Sequence, residues 1–140
     1  MSSCVVHWRG KKIKFRTDCY VTFKRVEGLL QWAHKRKFPN VTINDQKAKV
    51  EEELQELAVA AELYKMDRSC KYSQRMYYRE FADVCLAVHG LMRFESDVTR
   101  YFLKMRNIVF EFNVEIGVPV IIEKFLEVYF IRTYVNNRHI

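Results

Sequence analysis

Apolar residues recur every three or four positions along most of this chain, which is the spacing of an amphipathic helix. The clearest case begins near Asn44 and runs to about Met66, where the apolar positions fall on one helix face. The predicted core stripe of that helix consists of Val50, Leu54, Leu57, Ala61 and Tyr64. Further helices are expected over about 18–37, 73–94, 96–112 and 119–136. The pattern therefore predicts an all-α bundle of about five helices with short connections.

The predicted helix boundaries depend on residues that start or stop helices. Thr17 or Asp18 is a candidate cap of the first helix, and Ser96 is a candidate cap of the fourth. The sequence Gly117-Val-Pro119 predicts a turn, with Pro119 in the first turn of the fifth helix. The 140 residues include two prolines and four glycines, which favours long helices over a turn-rich β fold.

The N-terminal residues fit the helical pattern least well. Residues 4–16 contain two short runs on either side of Arg9-Gly10, which predicts a small β-hairpin, with an irregular arm as the alternative. We expect a single domain over residues 1–140. It would comprise this arm or hairpin (1–17), the motif-bearing helices (18–95) and the C-terminal helices (96–140).

Charge is unevenly distributed along the chain. Residues 1–49 contain 12 lysines and arginines but three acids, whereas the whole chain carries a net charge of +7. A basic section of this kind steers a phosphate-bearing ligand, contacts nucleic acid or forms a solubilising surface. The sequence contains no recognisable nucleic-acid-binding motif, so we rank nucleic acid last among the expected partners.

Cysteine spacing and hydropathy exclude several other classes. The four cysteines are widely spaced and include no C-x-x-C pair, which argues against zinc and redox motifs. No uncharged apolar run reaches the roughly 18 residues of a membrane span. The N-terminus lacks the apolar segment of a signal peptide. We therefore expect a soluble, cytoplasmic protein that does not cross a membrane.

Two pairs of carboxylates have a spacing of three, which places the members of each pair on one face of a helix. Glu53 and Glu56 lie on the second predicted helix, and Glu80 and Asp83 lie on the third. A short loop joins these helices, so we expect antiparallel neighbours with the two pairs face to face. Converging carboxylates repel one another unless a cation lies between them, and hard oxygen ligands suit Mg²⁺ or Mn²⁺.

Asp83 is the most informative of the four carboxylates. It is the one charged residue in the apolar run 81–92, so it lies in a helix predicted to be buried nearly all round. A buried carboxylate without a partner is costly, and we expect a metal ion to hold it. Simpler interpretations are a solvated helix face for Glu53 and Glu56, an ion pair with Arg79 or Arg75 for Glu80, and a satisfied core polar group for Asp83.

Three segments carry a resemblance to a known family. They are Leu30-Gln-Trp-Ala-His34, Gln46-Lys-Ala-Lys-Val-Glu-Glu-Glu-Leu-Gln-Glu-Leu57 and Glu80-Phe-Ala-Asp-Val84. Their order and spacing resemble the all-α NTP pyrophosphatases, the MazG-like proteins. Relatives of that family are dimeric dUTPases, dCTP pyrophosphatases and phosphoribosyl-ATP pyrophosphohydrolases. The family pattern is a tryptophan on the first helix, then K-x-x-E-E-x-x-E-L, then E-x-x-D, and the resemblance covers about residues 20–95.

The resemblance implies Mg²⁺-dependent cleavage between the α- and β-phosphates of (d)NTPs, which yields a nucleoside monophosphate and pyrophosphate. It implies that the metal ligands are Glu53, Glu56, Glu80 and Asp83. Glu52 would be an outer-sphere ligand or would orient the attacking water together with Glu53. Lys49 matches the motif lysine and would contact phosphate.

Two further parts of the chain are weaker candidates. The segment Arg132-Thr-Tyr-Val-Asn-Asn-Arg138 resembles the family tail K-x-x-x-N-x-x-R, although an arginine replaces the lysine and the spacing is one residue short. The resemblance implies phosphate contacts from Arg132, Asn136 or its neighbour Asn137, and Arg138; a polar helix end is the alternative. Trp32 is a candidate for stacking on the base, with an interface or core position as the alternative.

The leading prediction is an NTP pyrophosphohydrolase. The resemblance also implies a homodimer or homotetramer with sites near subunit contacts. Apolar residues on two sides of the first helix, with Leu30 on one and Leu29 and Trp32 on the other, favour association as well. Two alternatives from other classes remain: a non-catalytic helical module that senses a nucleotide or binds a partner, and a basic protein that binds nucleic acid.

Overall fold

A computed structural model of the chain describes the backbone of residues 3–8, 11–16 and 19–131, and the side chains of residues 28–129. In this part of the chain two strands precede five α-helices and one π-helical turn. The elements are β1 (Ser3–Trp8), β2 (Lys11–Arg16), α1 (Cys19–Lys37), α2 (Ile43–Met66), α3 (Lys71–Met92), α4 (Thr99–Ile108), α5 (Val114–Leu126) and the π-helical turn (Glu127–Ile131). The prediction of an all-α bundle of about five helices is confirmed.

The N-terminal strands form a two-stranded antiparallel hairpin. Ser3 pairs with Arg16 at one end, and Trp8 pairs with Lys11 at the other. The structure therefore confirms the predicted hairpin rather than an irregular arm. Backbone contacts place β1 against α5.

Helices α2 and α3 form the most extensive helix–helix contact of the bundle. A capping box fixes the start of α2, because the Thr42 hydroxyl accepts from the Asp45 N–H and the Asp45 carboxylate accepts from the Thr42 N–H. The predicted core stripe of α2 is buried throughout and packs against α3; its residues are Val50, Leu54, Leu57, Ala61 and Tyr64. This packing fixes the rotation of α2 and the direction in which its acidic side chains point.

The fourth helix is shorter than predicted at both ends. It begins at Thr99, where the side chain of Asp97, and not that of the predicted cap Ser96, accepts from the Thr99 N–H. It ends at Ile108, and residues 109–113 have no regular secondary structure. The aromatic rings of that segment reach back to α2 and α3: Phe110 lies against Tyr64 and Tyr77, and Phe112 lies against Tyr78 and Phe81. Tertiary packing of these rings overrides the helical periodicity.

The fifth helix begins earlier than predicted. Its start is Val114, where the Asn113 side chain accepts from the Glu115 N–H, so Pro119 lies inside the helix and not in its first turn. The predicted turn at Gly117 is wrong. A Cβ atom there would lie 2.1 Å from Cε2 of Phe112, so the glycine permits close packing and does not end a helix. The predicted end of this helix near residue 136 lies outside the described residues.

None of the helices in the described part of the chain is both long and apolar enough to cross a bilayer.

Candidate metal centre

Three carboxylates converge between α2 and α3. Glu53 extends from α2, Glu80 and Asp83 extend from α3, and one carboxylate oxygen from each lies within 4.8 Å of the other two. The spacing of three on α3 and the packing of the α2 core stripe against α3 produce this convergence, as the sequence predicted for these residues. Oxygen donors at this separation are a suitable ligand set for a hard divalent cation.

Two oxygens of this cluster are buried without a partner. Glu53 is 6% exposed; its Oε1 lies 3.0 Å from Lys49 Nζ, whereas its Oε2 has no hydrogen-bond partner among the described residues. Glu80 Oε2 is also buried and has no hydrogen-bond partner among the described residues. A buried carboxylate oxygen without a donor or cation carries a desolvation cost. A cation that binds both oxygens would remove that cost.

Burial and neighbouring carboxylates raise the pKa values of Glu80, Asp83 and Glu56. Burial, and then the Asp83 charge, raise the pKa of Glu80 to about 7. Burial raises the pKa of Asp83, and the nearby Lys124 opposes that rise. Burial and the Glu53 charge raise the pKa of Glu56. The arrangement is therefore costly when all carboxylates are ionised and no cation is present.

The other two α2 carboxylates of the predicted site lie at the edge of the cluster. Glu56 is exposed and lies near enough to Glu53 and Glu80 to interact with both electrostatically. The Glu52 carboxylate is 3.8 Å from Lys49 Nζ, and its side chain is 59% exposed. Lys49 is itself half-exposed, and its hydrogen bond to Glu53 raises the pKa of its ammonium group.

Asp83 has a partner that the sequence did not reveal. Lys124 Nζ on α5 lies 3.1 Å from Asp83 Oδ1, and the two side chains are 19% and 22% exposed. The expectation of an unpaired Asp83 in a helix buried nearly all round is thus corrected. Lys124 is the sole basic residue from Val114 to Ile131, and this position in an apolar run is the signal that could have identified it.

Arg79, one of the two arginines considered as a partner of Glu80, binds elsewhere. Arg79 Nη2 lies 3.3 Å from the Glu127 carboxylate, at the start of the π-helical turn. The simpler interpretation of Glu80 as one half of an ion pair with Arg79 is therefore not supported by the structure.

Two cavities flank the carboxylate cluster. A cavity of about 330 Å³ lies among α1, α2, α3 and the π-helical turn, with Phe38, Leu86 and Tyr129 in its apolar wall and Lys49 and Asp83 at one side. A groove of about 530 Å³ runs along the other side, between α2 and α3. Its lining includes Glu52, Glu56 and Glu80, followed by Val59, Leu63, Tyr72 and Met76. The cluster therefore lies between a smaller cavity and a larger groove, each of which is lined by three carboxylates.

A chain of hydrogen bonds forms the polar wall of the 330 Å³ cavity. Arg93 contacts His34, His34 contacts Gln46, and Gln46 donates to the carbonyl of Ala87. Burial, and then the Arg93 charge, lower the pKa of His34, so the imidazole is neutral near pH 7. Sequence analysis missed this network because its members are separated by 12 to 59 residues.

The remaining predicted site residues do not join the cluster. Trp32 is 51% exposed, the Arg36 guanidinium lies 5.2 Å from its ring centroid, and it lines neither cavity. Its placement favours the interface alternative over base stacking within one subunit. Arg132, Asn136 and Arg138 lie outside the described residues.

Comparisons with protein-family models, with curated proteins and with solved structures give no match to this chain.

Proposed function

We propose that the chain is a Mg²⁺-dependent nucleoside triphosphate pyrophosphohydrolase that cleaves (d)NTPs to a nucleoside monophosphate and pyrophosphate. The observation that carries the proposal is the convergence of carboxylate oxygens of Glu53, Glu80 and Asp83 within 4.8 Å, with two buried oxygens that have no hydrogen-bond partner in the described part of the chain. Hard oxygen donors and a partly buried site match the preferences of Mg²⁺, with Mn²⁺ as a substitute.

The carboxylate cluster and its neighbours have the charges that binding and cleavage of a triphosphate require. A bound Mg²⁺ would supply positive charge that offsets the repulsion among the carboxylates and the negative charge of the substrate. The half-exposed Lys49 ammonium lies beside the cluster, which supports a role for it in contacting a phosphate oxygen and stabilising charge that develops there. The proposal gives the exposed Glu52 carboxylate the role of orienting the attacking water and accepting its proton.

The nucleoside part of the substrate is assigned to the 330 Å³ cavity. Its volume falls in the range of about 300–1,000 Å³ of small-molecule sites, and Phe38 and Tyr129 offer aromatic surface for a base. Three carboxylates line each space, but Lys49 also lines the 330 Å³ cavity, whereas the described lining residues of the larger groove include no lysine or arginine. The smaller cavity therefore suits a triphosphate better. This assignment replaces Trp32 as the base contact within one subunit.

A homo-oligomer is part of the proposal. Exposed large apolar side chains lie on α1 and along the groove side of α2 and α3, namely Leu29, Trp32, Val59, Leu63, Met66 and Tyr72. Grouped apolar side chains of this kind are typical of contact surfaces. Light scattering coupled to gel filtration should give a dimer or tetramer, and Leu63→Glu should shift the protein towards the monomer. A wild-type monomer at micromolar concentration would contradict this part.

A nucleotide-panel assay tests the activity directly. Purified protein is incubated with each NTP and dNTP, and released pyrophosphate is converted to phosphate by a coupling pyrophosphatase. We expect Mg²⁺-dependent release with wild type and a loss of about 100-fold or more with Glu53→Gln. Glu62→Gln is the matched control, because Glu62 lies on the same helix, is 71% exposed and pairs with Lys65. No turnover with any nucleotide, in Mg²⁺ or Mn²⁺, would refute the proposal.

A further inference from the structure

We propose that Lys124 is a counter-ion of the carboxylate cluster. When a divalent cation binds, the Lys124 ammonium moves from Asp83 to the substrate phosphates. The proposal rests on the proposed function for its second half, the transfer to phosphate. Its first half, competition between Lys124 and a metal ion for Asp83, concerns the protein without nucleotide.

Burial makes Lys124 a specific partner of Asp83 and not a passing surface contact. The Lys124 side chain is 19% exposed, and Ile121, Ile122 and Phe125 near it on α5 are buried, whereas the adjacent Glu123 is exposed. An ammonium group in such surroundings needs a nearby anion to offset desolvation. Asp83 provides it at 3.1 Å, while the neighbouring Arg79 pairs with Glu127. Lys124 therefore occupies one oxygen of a carboxylate that belongs to the candidate metal ligands.

The backbone of Lys124 is held in place, so a change of partner must occur in its side chain. The Phe112 ring lies so close to Gly117 of α5 that a Cβ there would come within 2.1 Å, and the same ring lies 4.7 Å from that of Phe81 on α3. These contacts anchor the start of α5 against α3. A lysine side chain is a flexible four-carbon stem with a mobile charge, which suits a group that changes partner while its helix stays fixed.

Lys124 should therefore have opposite effects on binding in the absence and in the presence of a nucleotide. Lys124 and a divalent cation compete for Asp83, so the lysine weakens metal binding when no nucleotide is present. With a triphosphate bound, the displaced ammonium lies next to new anionic oxygens, so the lysine strengthens binding of the metal–nucleotide complex. Metal and triphosphate would therefore bind cooperatively through one side chain.

Lys49 differs from Lys124 in how far its side chain is exposed to solvent. Its side chain is 51% exposed, and it contacts Glu53, whose second oxygen remains without a partner. A solvent-exposed ammonium is screened by water and weakens metal binding less. The competition is therefore expected to be centred on Lys124.

The test measures Mn²⁺ affinity without nucleotide, by calorimetry and by the electron paramagnetic resonance signal of free Mn²⁺. Lys124→Met should bind Mn²⁺ about tenfold more tightly than wild type, and Lys124→Arg should behave like wild type. Lys104→Met is the matched control; it removes a lysine that pairs with Glu51 on the surface, and it should change the affinity by less than about twofold. Lys124→Gln repeats the measurement if the methionine variant fails to fold.

A second measurement tests the transfer to phosphate. With saturating Mn²⁺ and α,β-methylene-ATP, which resists the proposed cleavage, Lys124→Met should bind the nucleotide at least about tenfold more weakly than wild type. Unchanged or weaker Mn²⁺ affinity in both neutral variants overturns the competition, and unchanged nucleotide affinity overturns the transfer. Absence of turnover by wild type would refute the proposed function but leave the outcome of the nucleotide-free Mn²⁺ measurement decisive for Lys124.

Discussion

Arg93 Nη1 lies 3.0 Å from Nδ1 of His34, and this contact fixes the tautomer of the histidine. A guanidinium group donates hydrogen bonds and does not accept them, so Nδ1 is the acceptor. The proton of the neutral ring is therefore on Nε2, which donates to Oε1 of Gln46 at 2.9 Å. Gln46 Nε2 in turn donates to the Ala87 carbonyl at 2.9 Å. This directed chain joins α1, α2 and α3 around the proposed nucleoside cavity.

Gly90 leaves room for this chain. A Cβ at position 90 would lie 2.5 Å from Cδ2 of His34 and 2.8 Å from Nε2 of Gln46. Gly90→Ala must therefore displace hydrogen-bonded, buried groups, which outweighs the gain in helix propensity. We expect the free energy of unfolding to fall by about 1–2 kcal/mol in urea denaturation.

Gly28 provides the matched control, because it also lies within a helix but a Cβ there would meet none of the described atoms within 4 Å. Gly28→Ala should raise the free energy of unfolding by about 0.5–1 kcal/mol. Equal effects of the two substitutions would show that the space beside Gly90 does not constrain His34 and Gln46.

Glu80 predicts a pH-dependent effect on stability. Burial and then the Asp83 charge raise its pKa from 4.5 to about 7 in the folded protein. Between those two pKa values the folded state binds more protons at Glu80 than the unfolded state does. The contribution of Glu80 to the free energy of unfolding therefore falls as pH rises from about 4.5 to about 7. Without divalent cations, Glu80→Gln should therefore stabilise the protein by about 1–2 kcal/mol at pH 8 and have little effect at pH 4.5.

The measurement for Glu80 is urea denaturation in EDTA at the two pH values. Glu62→Gln serves as control, because its carboxylate is 71% exposed and should give the same small change at both. A stabilisation by Glu80→Gln that is equal at pH 4.5 and pH 8 would contradict a raised pKa at this position.

The parts of the site predicted from sequence are those fixed by local helix geometry. The spacing of three places Glu80 and Asp83 on one face, and the core stripe of α2 sets the direction of Glu53 relative to α3. These relations depend on helical periodicity and one short loop. The convergence of the carboxylates was predictable for that reason.

The parts that were missed depend on contacts between distant segments. Lys124 reaches Asp83 from a helix 41 positions further along the chain, and no spacing rule relates the two. The end of α4 was misplaced for a similar reason, because Phe110 and Phe112 pack into the α2–α3 core instead of continuing a helix. The Lys124–Asp83 ion pair and the end of α4 both depend on tertiary packing, which local sequence patterns do not predict.

Divalent cations should stabilise the folded protein through the unpartnered oxygens of Glu53 and Glu80. Mg²⁺ or Mn²⁺ at about 100 times its dissociation constant should add about 2.7 kcal/mol, seen as a rise in Tm in thermal denaturation. Glu53→Gln should lose most of this rise, because the cation then has fewer charged ligands. Glu62→Gln should retain it, and NaCl of equal ionic strength should not reproduce it. A rise that persists in Glu53→Gln would place the cation elsewhere.

The location of the base is tested by substituting two aromatic residues of α1 and the turn after it. Phe38 lines the 330 Å³ cavity, whereas Trp32 is half-exposed and lines neither cavity. Phe38→Ala should raise KM about tenfold through loss of ring contact with the base, and Phe38→Leu, which preserves most of the apolar volume, should raise it less. Trp32→Ala should change KM by less than about twofold when its assembly state matches wild type by light scattering. The reverse order, with KM sensitive to Trp32 and not to Phe38, would contradict the cavity assignment and restore Trp32 as the base contact.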